Sequence, residues 1–318
     1  MVKTSYIKTS LNTVWGSFLR KFVMLGTVGA FSFLQSSEAA TTAYFSTSAN
    51  ETMETTKTVN QYEIWQIKPD NAAGNRISGP SLDGILSTSG RDFDAVYEDA
   101  THWYFSVQQG TTDVDYTGGS LENVDSNKIV RYDKASGVAN IWFDAGTYTG
   151  AGSQVDAMHI APGGDLLLSF DDSETFTVGA MGSMTLNDGD IIRVPITEAG
   201  GVATATAVPT LLLEESVVFQ DNEDIEGFSY WSDDAFYLIT ESAGQFKTGA
   251  MLIFSENDVL QYNPATEVAS VLITAGTFDS TNAFDLNALH VVPEPGFYAL
   301  IMGAGLFCFA FFRRNQNL

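Results

Sequence analysis

Apolar residues along this chain fall in short runs rather than helical stripes. Each run spans four to six residues, is rich in Val, Ile, Phe, Tyr and Trp, and is bounded by Gly, Asp, Asn or Ser. Between residues 40 and 292 no segment sustains a 3.6-residue period, so almost no helix is expected there. The runs recur. An apolar–acidic–small–apolar pattern appears as Phe93-Asp94-Ala95-Val96, Val155-Asp156-Ala157-Met158, Ile225-Glu226-Gly227-Phe228 and Leu286-Asn287-Ala288-Leu289, with spacings of 62, 70 and 61. An apolar strand ending in a hydroxyl appears as Ala43-Tyr44-Phe45-Ser46, Trp103-Tyr104-Phe105-Ser106, Leu166-Leu167-Leu168-Ser169 and Tyr237-Leu238-Ile239-Thr240, spaced by 60, 63 and 71. A third appears as Glu63-Ile64-Trp65-Gln66, Lys128-Ile129-Val130-Arg131, Asp190-Ile191-Ile192-Arg193 and Asp258-Val259-Leu260-Gln261, spaced by 65, 62 and 68.

Three patterns in step at 60–71 residues predict a repeat of small sheets. We label the patterns strands a, b and c. A fourth run, d, follows each c at residues 84–86, 139–143, 209–213 and 270–273. The order along the chain is b-c-d, then a-b-c-d three times, then a lone a. A ring closes if the last strand, from Leu286, joins the sheet begun at Ala43, and closure removes open sheet edges. The expected fold is all-β: a four-bladed β-propeller over residues 40–291, closed by its N- and C-terminal strands. An open β-solenoid is the alternative, and it leaves both partial units unpaired. The loops repeat too, since Phe176-Thr177-Val178-Gly179-Ala180-Met181 returns as Phe246-Lys247-Thr248-Gly249-Ala250-Met251. The copy from Val155 to Pro195, with Asp156-Ala157 and Gly164-Asp165-Leu166-Leu167-Leu168-Ser169-Phe170, resembles an Asp-Ala-type repeat of secreted bacterial proteins. That likeness implies a propeller-like fold and no assigned activity.

The ends differ from the middle. Residues 1–39 hold Lys3, Lys8, Arg20 and Lys21, then an apolar stretch at 22–34, then Ser36-Ser37-Glu38-Ala39. This order is a secretory signal peptide with cleavage after Ala39, handled by the Sec machinery and signal peptidase. Thirteen apolar residues are short for a membrane anchor. At the other end, Val292-Pro293-Glu294-Pro295 precedes an apolar segment at 296–312 and the pair Arg313-Arg314. Seventeen residues of helix span about 25 Å, enough to cross a bilayer. Arg313 and Arg314 would stay cytoplasmic and the main domain outside.

Residues 292–318 resemble the PEP-CTERM sorting tail of Gram-negative bacteria, also catalogued as the ice-binding-protein C-terminal domain. The resemblance implies a transient membrane intermediate, cleavage by an exosortase near Pro293-Glu294-Pro295, and release to the cell surface or extracellular matrix. A plain C-terminal anchor gives the same topology without the processing.

Charge sharpens this picture. The 318 residues carry 15 Lys and Arg against 39 Asp and Glu, a net charge of −24. Six of the basic residues lie in the two short ends and nine are spread singly through the middle, which stands near −28. Such a surface excludes nucleic acid, which needs clustered Lys and Arg. The 44% apolar content excludes a disordered chain. The single cysteine, Cys308, lies in the tail and excludes an internal disulfide.

Up-and-down connectivity places all b–c and d–a loops on one rim. The b–c loops, about 20 residues each, hold Asp113, Asp115, Glu122, Asp125, Asp171, Asp172, Glu174, Asp188, Glu241 and Glu256. The c–d turns look shorter. Asp94, Asp156, Glu226 and Asn287 share one register near the start of strand a, the innermost strand. Three carboxylates and an amide there suit a hard cation such as Ca²⁺. The structural alternative is that each caps a turn or bonds the neighbouring blade. His159 and His290 share another register with Tyr97 and Ser229, which argues for packing between blades. No catalytic motif is present, so no catalytic residue is assigned. The expected function is a non-catalytic, surface-sorted propeller that binds extracellular polysaccharide, protein or cations. The alternative is a metal-dependent hydrolase or lyase at the channel mouth, which requires His159 or His290 beside Asp156 or Glu226.

Overall fold

The computed structural model describes residues 41–47, 51–53, 57–59, 64–67, 77–78, 93–108, 113–116, 119–122, 124–150, 152–220, 223–232, 235–247, 251–275 and 286–293. The expected signal peptide with Ala39, the segment 296–312 and Glu294, Pro295, Arg313 and Arg314 lie outside the described residues. No described helix is long and apolar enough to cross a membrane. Residues Thr41–Pro293 form one compact unit.

The unit contains four antiparallel four-stranded sheets, each ordered a-b-c-d. Blade 1 consists of Leu286–Pro293, Thr41–Thr47, Trp65–Ile67 and Ile77–Ser78. Blade 2 consists of Val96–Glu98, His102–Phe105, Lys128–Asp133 and Val138–Asp144. Blade 3 consists of Val155–Ile160, Leu166–Phe170, Ile191–Val194 and Thr210–Leu213. Blade 4 consists of Gly227–Ser232, Ala235–Ile239, Val259–Asn263 and Val268–Ile273. The four a strands contact one another in a ring, blade 1 to 2, 2 to 3, 3 to 4 and 4 to 1. The molecule is a four-bladed β-propeller.

Ring closure follows the expected pairing. Leu286–Pro293 runs antiparallel to Thr41–Thr47, with Phe45 opposite Leu289 and Ala43 opposite Val291. The strand runs to Val292 and Pro293, which face Thr42 and Thr41, so the first two residues of the expected sorting motif belong to the sheet. The solenoid alternative is thereby set aside, because both partial units complete one blade.

The apolar runs are nearly continuous because each blade is covered on both faces. Successive strand residues point to opposite sides. Leu166, Leu168 and Phe170 enter the core between blades 2 and 3, while Leu167 enters the one between blades 3 and 4. Similarly, Tyr237 and Ile239 face blade 1 while Leu238 faces blade 3. The four apolar clusters of the domain are the four blade interfaces. Each fully buried Phe, such as Phe45, Phe105, Phe170 or Phe236, contributes about 2–3 kcal/mol by leaving water.

The hydroxyl that ends strand b has a use. Ser46 Oγ donates to the carbonyl of Phe93 at 2.6 Å, and Ser106 Oγ to that of Val155 at 2.8 Å. Each bond ties one blade to the a strand of the next. In blades 3 and 4 the bond turns local: Ser169 Oγ donates to Asp190 O and Thr240 Oγ1 to Ser242 O.

Three details differ from the sequence reading. The fourth strand of blade 1 is Ile77–Ser78, earlier than expected, and residues 84–86 lie outside the described residues. The c–d connection of blade 3 is long and folds into a hairpin of Ile196–Ala199 with Val202–Ala205. Its Glu198 accepts from Arg131 at 2.7 Å and from the Trp142 indole at 3.0 Å, so the hairpin clasps blade 2. Two single-turn helices, Gly146–Thr149 and Glu215–Val218, occupy d–a connections. All four b–c loops carry hairpins, at Glu51–Met53/Lys57–Val59, Asp113–Tyr116/Gly119–Glu122, Thr175–Thr177/Ser183–Thr185 and Gly244–Gln245/Ile253–Phe254. Phe176 and Phe246, the first residues of the repeated loop motif, are fully buried beneath them.

Candidate functional site

The rim that carries the b–c and d–a loops opens into a cavity of about 320 Å³. Its walls are Asp156, Asp171, Asp188, Asp224, Glu226 and Glu241, with Gln108, Gln154 and Asn287. The fold explains this gathering. Asp156, Glu226 and Asn287 stand at or beside the starts of three a strands. Gln108, Asp171 and Glu241 follow the ends of three b strands. Asp188 precedes a c strand, and Gln154 and Asp224 precede a strands. All these positions lie at the same end of their blades, and among the described residues no Lys, Arg or His lines the cavity.

The four residues predicted to share a register divide in two. Asn287 Nδ2 donates to Asp94 Oδ1 at 2.8 Å, a bond from blade 1 to blade 2, and Asp94 does not line the cavity. This pair is the structural staple. Asp156 and Glu226 line the cavity. Asp156 is only 5% exposed; its Oδ1 accepts from Gln154 at 3.2 Å, and its Oδ2 has no hydrogen-bond partner. Asp171 Oδ1 is likewise buried without a partner. Among the described residues, no group of three His, Cys, Asp or Glu is arranged to hold a metal ion directly.

Crowding shifts these carboxyls toward the neutral form. Burial, then the charges of Asp171 and Asp94, hold Asp156 well above the usual carboxylate range. Burial, then Asp172, pushes Asp171 up to about 6. Burial, with the charges of Asp172 and Asp190 adding to it, raises Asp188. Burial, then Asp156 and Asp188, pushes Asp224 up to about 10. Asp224 therefore keeps its proton at neutral pH unless a cation replaces it, whereas Asp171 is mostly ionised there.

Other buried acids serve the fold. Asp190 accepts from the Glu215 and Asn187 amides, and Asp258 from the Ala275 and Ser255 amides. Both precede strand c and fasten it to the following d–a connection. Glu215 in turn accepts from the Glu223 amide at 2.9 Å, and Glu223 from Ser242 Oγ at 2.6 Å.

His159 and His290 meet inside the ring of a strands. Tyr97 packs edge-on against His159 and His290, at centroid distances of 4.7 and 4.9 Å, and the two imidazoles are 5.7 Å apart. His159 Nδ1 accepts from the Tyr230 amide at 3.3 Å, and Ser229 Oγ donates to the Val291 carbonyl. Burial depresses both imidazoles, His290 to about 3 and His159 well below its ordinary value. They are packing residues, as their register implied.

Asp224, Gln154 and Gln108 were missed by the sequence reading. A signal for the first two was present. The residue two before the acidic position reads Asp92, Gln154, Asp224 and Asp285 in the four copies. Alternate residues of an extended strand share a side, so each copy offers two oxygen-bearing groups to the same rim. Asp92 and Asp285 lie outside the described residues.

No family model matches the chain, and no curated protein matches it. Among solved structures, it is similar to a protein of unknown function from Bacteroides caccae. That match has 8% identity and a TM-score of 0.39, covering 80% of this chain and 100% of that one. It is also similar to the extracellular domain of a protein described as a hybrid two-component system in B. thetaiotaomicron. There the identity is 8% and the TM-score 0.28, over 71% of this chain and 27% of that one. Likeness at this level says nothing of activity, and the propeller assignment stands on the strand pairing itself.

Proposed function

We propose that this chain is an exported, surface-sorted binding propeller whose acidic cavity holds a hydrated divalent cation, with Ca²⁺ the best fit. One observation carries the cation reading: Asp156, buried with Oδ2 unpartnered, faces a cavity whose charged groups, among the described residues, are all carboxyls. A cation there replaces the proton that Asp224 otherwise keeps. Because no three ligands converge on one point, the ion keeps part of its water shell and binds weakly, at about 10⁻⁴–10⁻³ M as in extracellular calcium modules. Asp94 and Asn287 act as the staple that fixes the wall. The hydrolase or lyase alternative asks for an imidazole beside Asp156 or Glu226, and both axial histidines pack on aromatic rings instead. Export rests on the leader ending at Ala39 and on the sorting tail, with signal peptidase and an exosortase as processing partners.

Thermal unfolding of the full chain tests the cation. Millimolar CaCl₂ against EDTA at pH 8 should raise Tm, and Asp156→Asn should abolish the shift. No shift in the parent protein overturns the cation reading. Mass analysis of the exported form, with and without the exosortase, tests sorting; an unchanged mass with the tail retained overturns processing.

A further inference from the structure

The opposite rim carries a second cleft of different chemistry. It has a volume of about 410 Å³ and lies between the a–b turn of blade 3 and the end of strand a of blade 4. Trp231, Tyr230 and Ser232 of blade 4 form one side, and Gly163, Asp165 and Arg193 of blade 3 the other. Trp231 is 38% exposed, although indole is among the most costly side chains to leave in water.

The backbone holds Trp231 there by a specific device. In the a–b pairing of blade 4, Tyr230 opposes Phe236 and Ser232 opposes Ala235, so Trp231 is the extra residue of a β-bulge. A bulge re-aims a side chain and is common beside sites. The repeat does not require it. The same register holds Asp99, Ala161 and Val292 in the other blades, none of them aromatic. The neighbouring groups are rigid. Arg193 donates to Tyr230 Oη at 3.1 Å, and its guanidinium stacks 5.7 Å from the Tyr230 ring.

We propose that this cleft binds a neutral saccharide, with Trp231 as the platform for the apolar face of a sugar ring. Asp165 accepts from sugar hydroxyls at the facing edge. Volume and lining match a small-ligand cleft, with an aromatic wall and a few fixed polar groups. Among the described lining residues, Asp165 and Arg193 carry opposite charges. A net charge of −24 repels polyanionic glycans and favours neutral ones. The inference is independent of the cation cavity on the other rim.

The full chain in EDTA is titrated with cellohexaose and laminarihexaose as neutral probes and with hexagalacturonate as the anionic one, following tryptophan emission and heat. A neutral probe should bind. Trp231→Ala should weaken it at least about tenfold while Trp231→Phe stays within a few-fold, both with unchanged Tm. EDTA separates this result from the fate of the cation reading. Absence of neutral-probe binding at millimolar concentration, binding of hexagalacturonate alone, or equal binding by Trp231→Ala overturns the proposal.

Discussion

Acids that hold protons make stability fall with rising pH, and the acidic cavity sets the size of the effect. In the unfolded chain Asp188 and Asp224 ionise near the ordinary carboxylate value of about 4. In the folded, cation-free protein the pair keeps one proton past neutrality, because burial and the charges of Asp156 and Asp188 raise Asp224. A carboxyl raised by folding gives stability that is full below the unfolded pKa and is lost as pH climbs through the folded one. One retained proton corresponds to a slope of about 1.4 kcal/mol per pH unit, or about 3 kcal/mol between pH 7 and 9. A domain's whole stability is about 5–15 kcal/mol, so the change is easily read. The window starts at pH 7 because His159 and His290 act the other way. Depressed by burial, they stabilise above their unfolded value of about 6.5 and lose that contribution as pH falls. Urea unfolding of the full chain in EDTA at pH 7, 8 and 9 reads the slope. Asp224→Asn should reduce it by about 1.4 kcal/mol per unit and leave the variant more stable than the parent at pH 9. A flat or rising profile in the parent, or an unchanged slope in Asp224→Asn, refutes the reasoning.

Other expectations follow from the same contacts. Calcium should raise Tm more at pH 8 than at pH 5.5, because protons compete for the same carboxyls; equal shifts would place the ion elsewhere. Phe45→Ala and Leu289→Ala should each cost about 2–5 kcal/mol, with a coupling of about 0.5–3 kcal/mol in the double mutant because the two residues are directly opposed. Simple additivity in urea unfolding would count against that register. Gly227→Ala should destabilise by about 1–3 kcal/mol, since its Cβ would stand 2.9 Å from the Leu289 amide nitrogen and 2.7 Å from Ile239 Cδ1. A neutral result in the same assay would mean that blades 1 and 4 separate at no cost.

The repeat was legible because each blade repeats one physical demand. A strand buried on both faces needs a near-continuous apolar run, and the Ser46 and Ser106 hydroxyls bond the next blade, so both recur in step. The early fourth strand of blade 1 was not legible, because Ile77-Ser78 is two residues long and carries no apolar run. Neither was the hairpin at residues 196–205, where Thr and Ala give a weak signal and the clasp on Trp142 is a long-range contact. At the site, register alone found Asp156 and Glu226 but could not tell them from Asp94. That distinction depends on the Asn287 bond across the closed ring. Asp190 and Asp258 recurred as visibly as the cavity acids, and only their amide partners reveal them as fasteners.

Closure builds the cavity, since Asn287 reaches it only when the last strand joins the first. In a Cys308→Ser background, Ala43→Cys and Val291→Cys place two thiols on directly opposed residues, where Cβ atoms stand about 4.5–5.5 Å apart. Oxidation or a short bis-thiol linker, followed by mass analysis of the monomer, reads their pairing. The closed propeller predicts an intramolecular link across nearly the whole domain, with stability raised by about 5 kcal/mol from the entropy removed from the unfolded chain. A monomer that stays unlinked, or links only to a second copy, contradicts the closed ring.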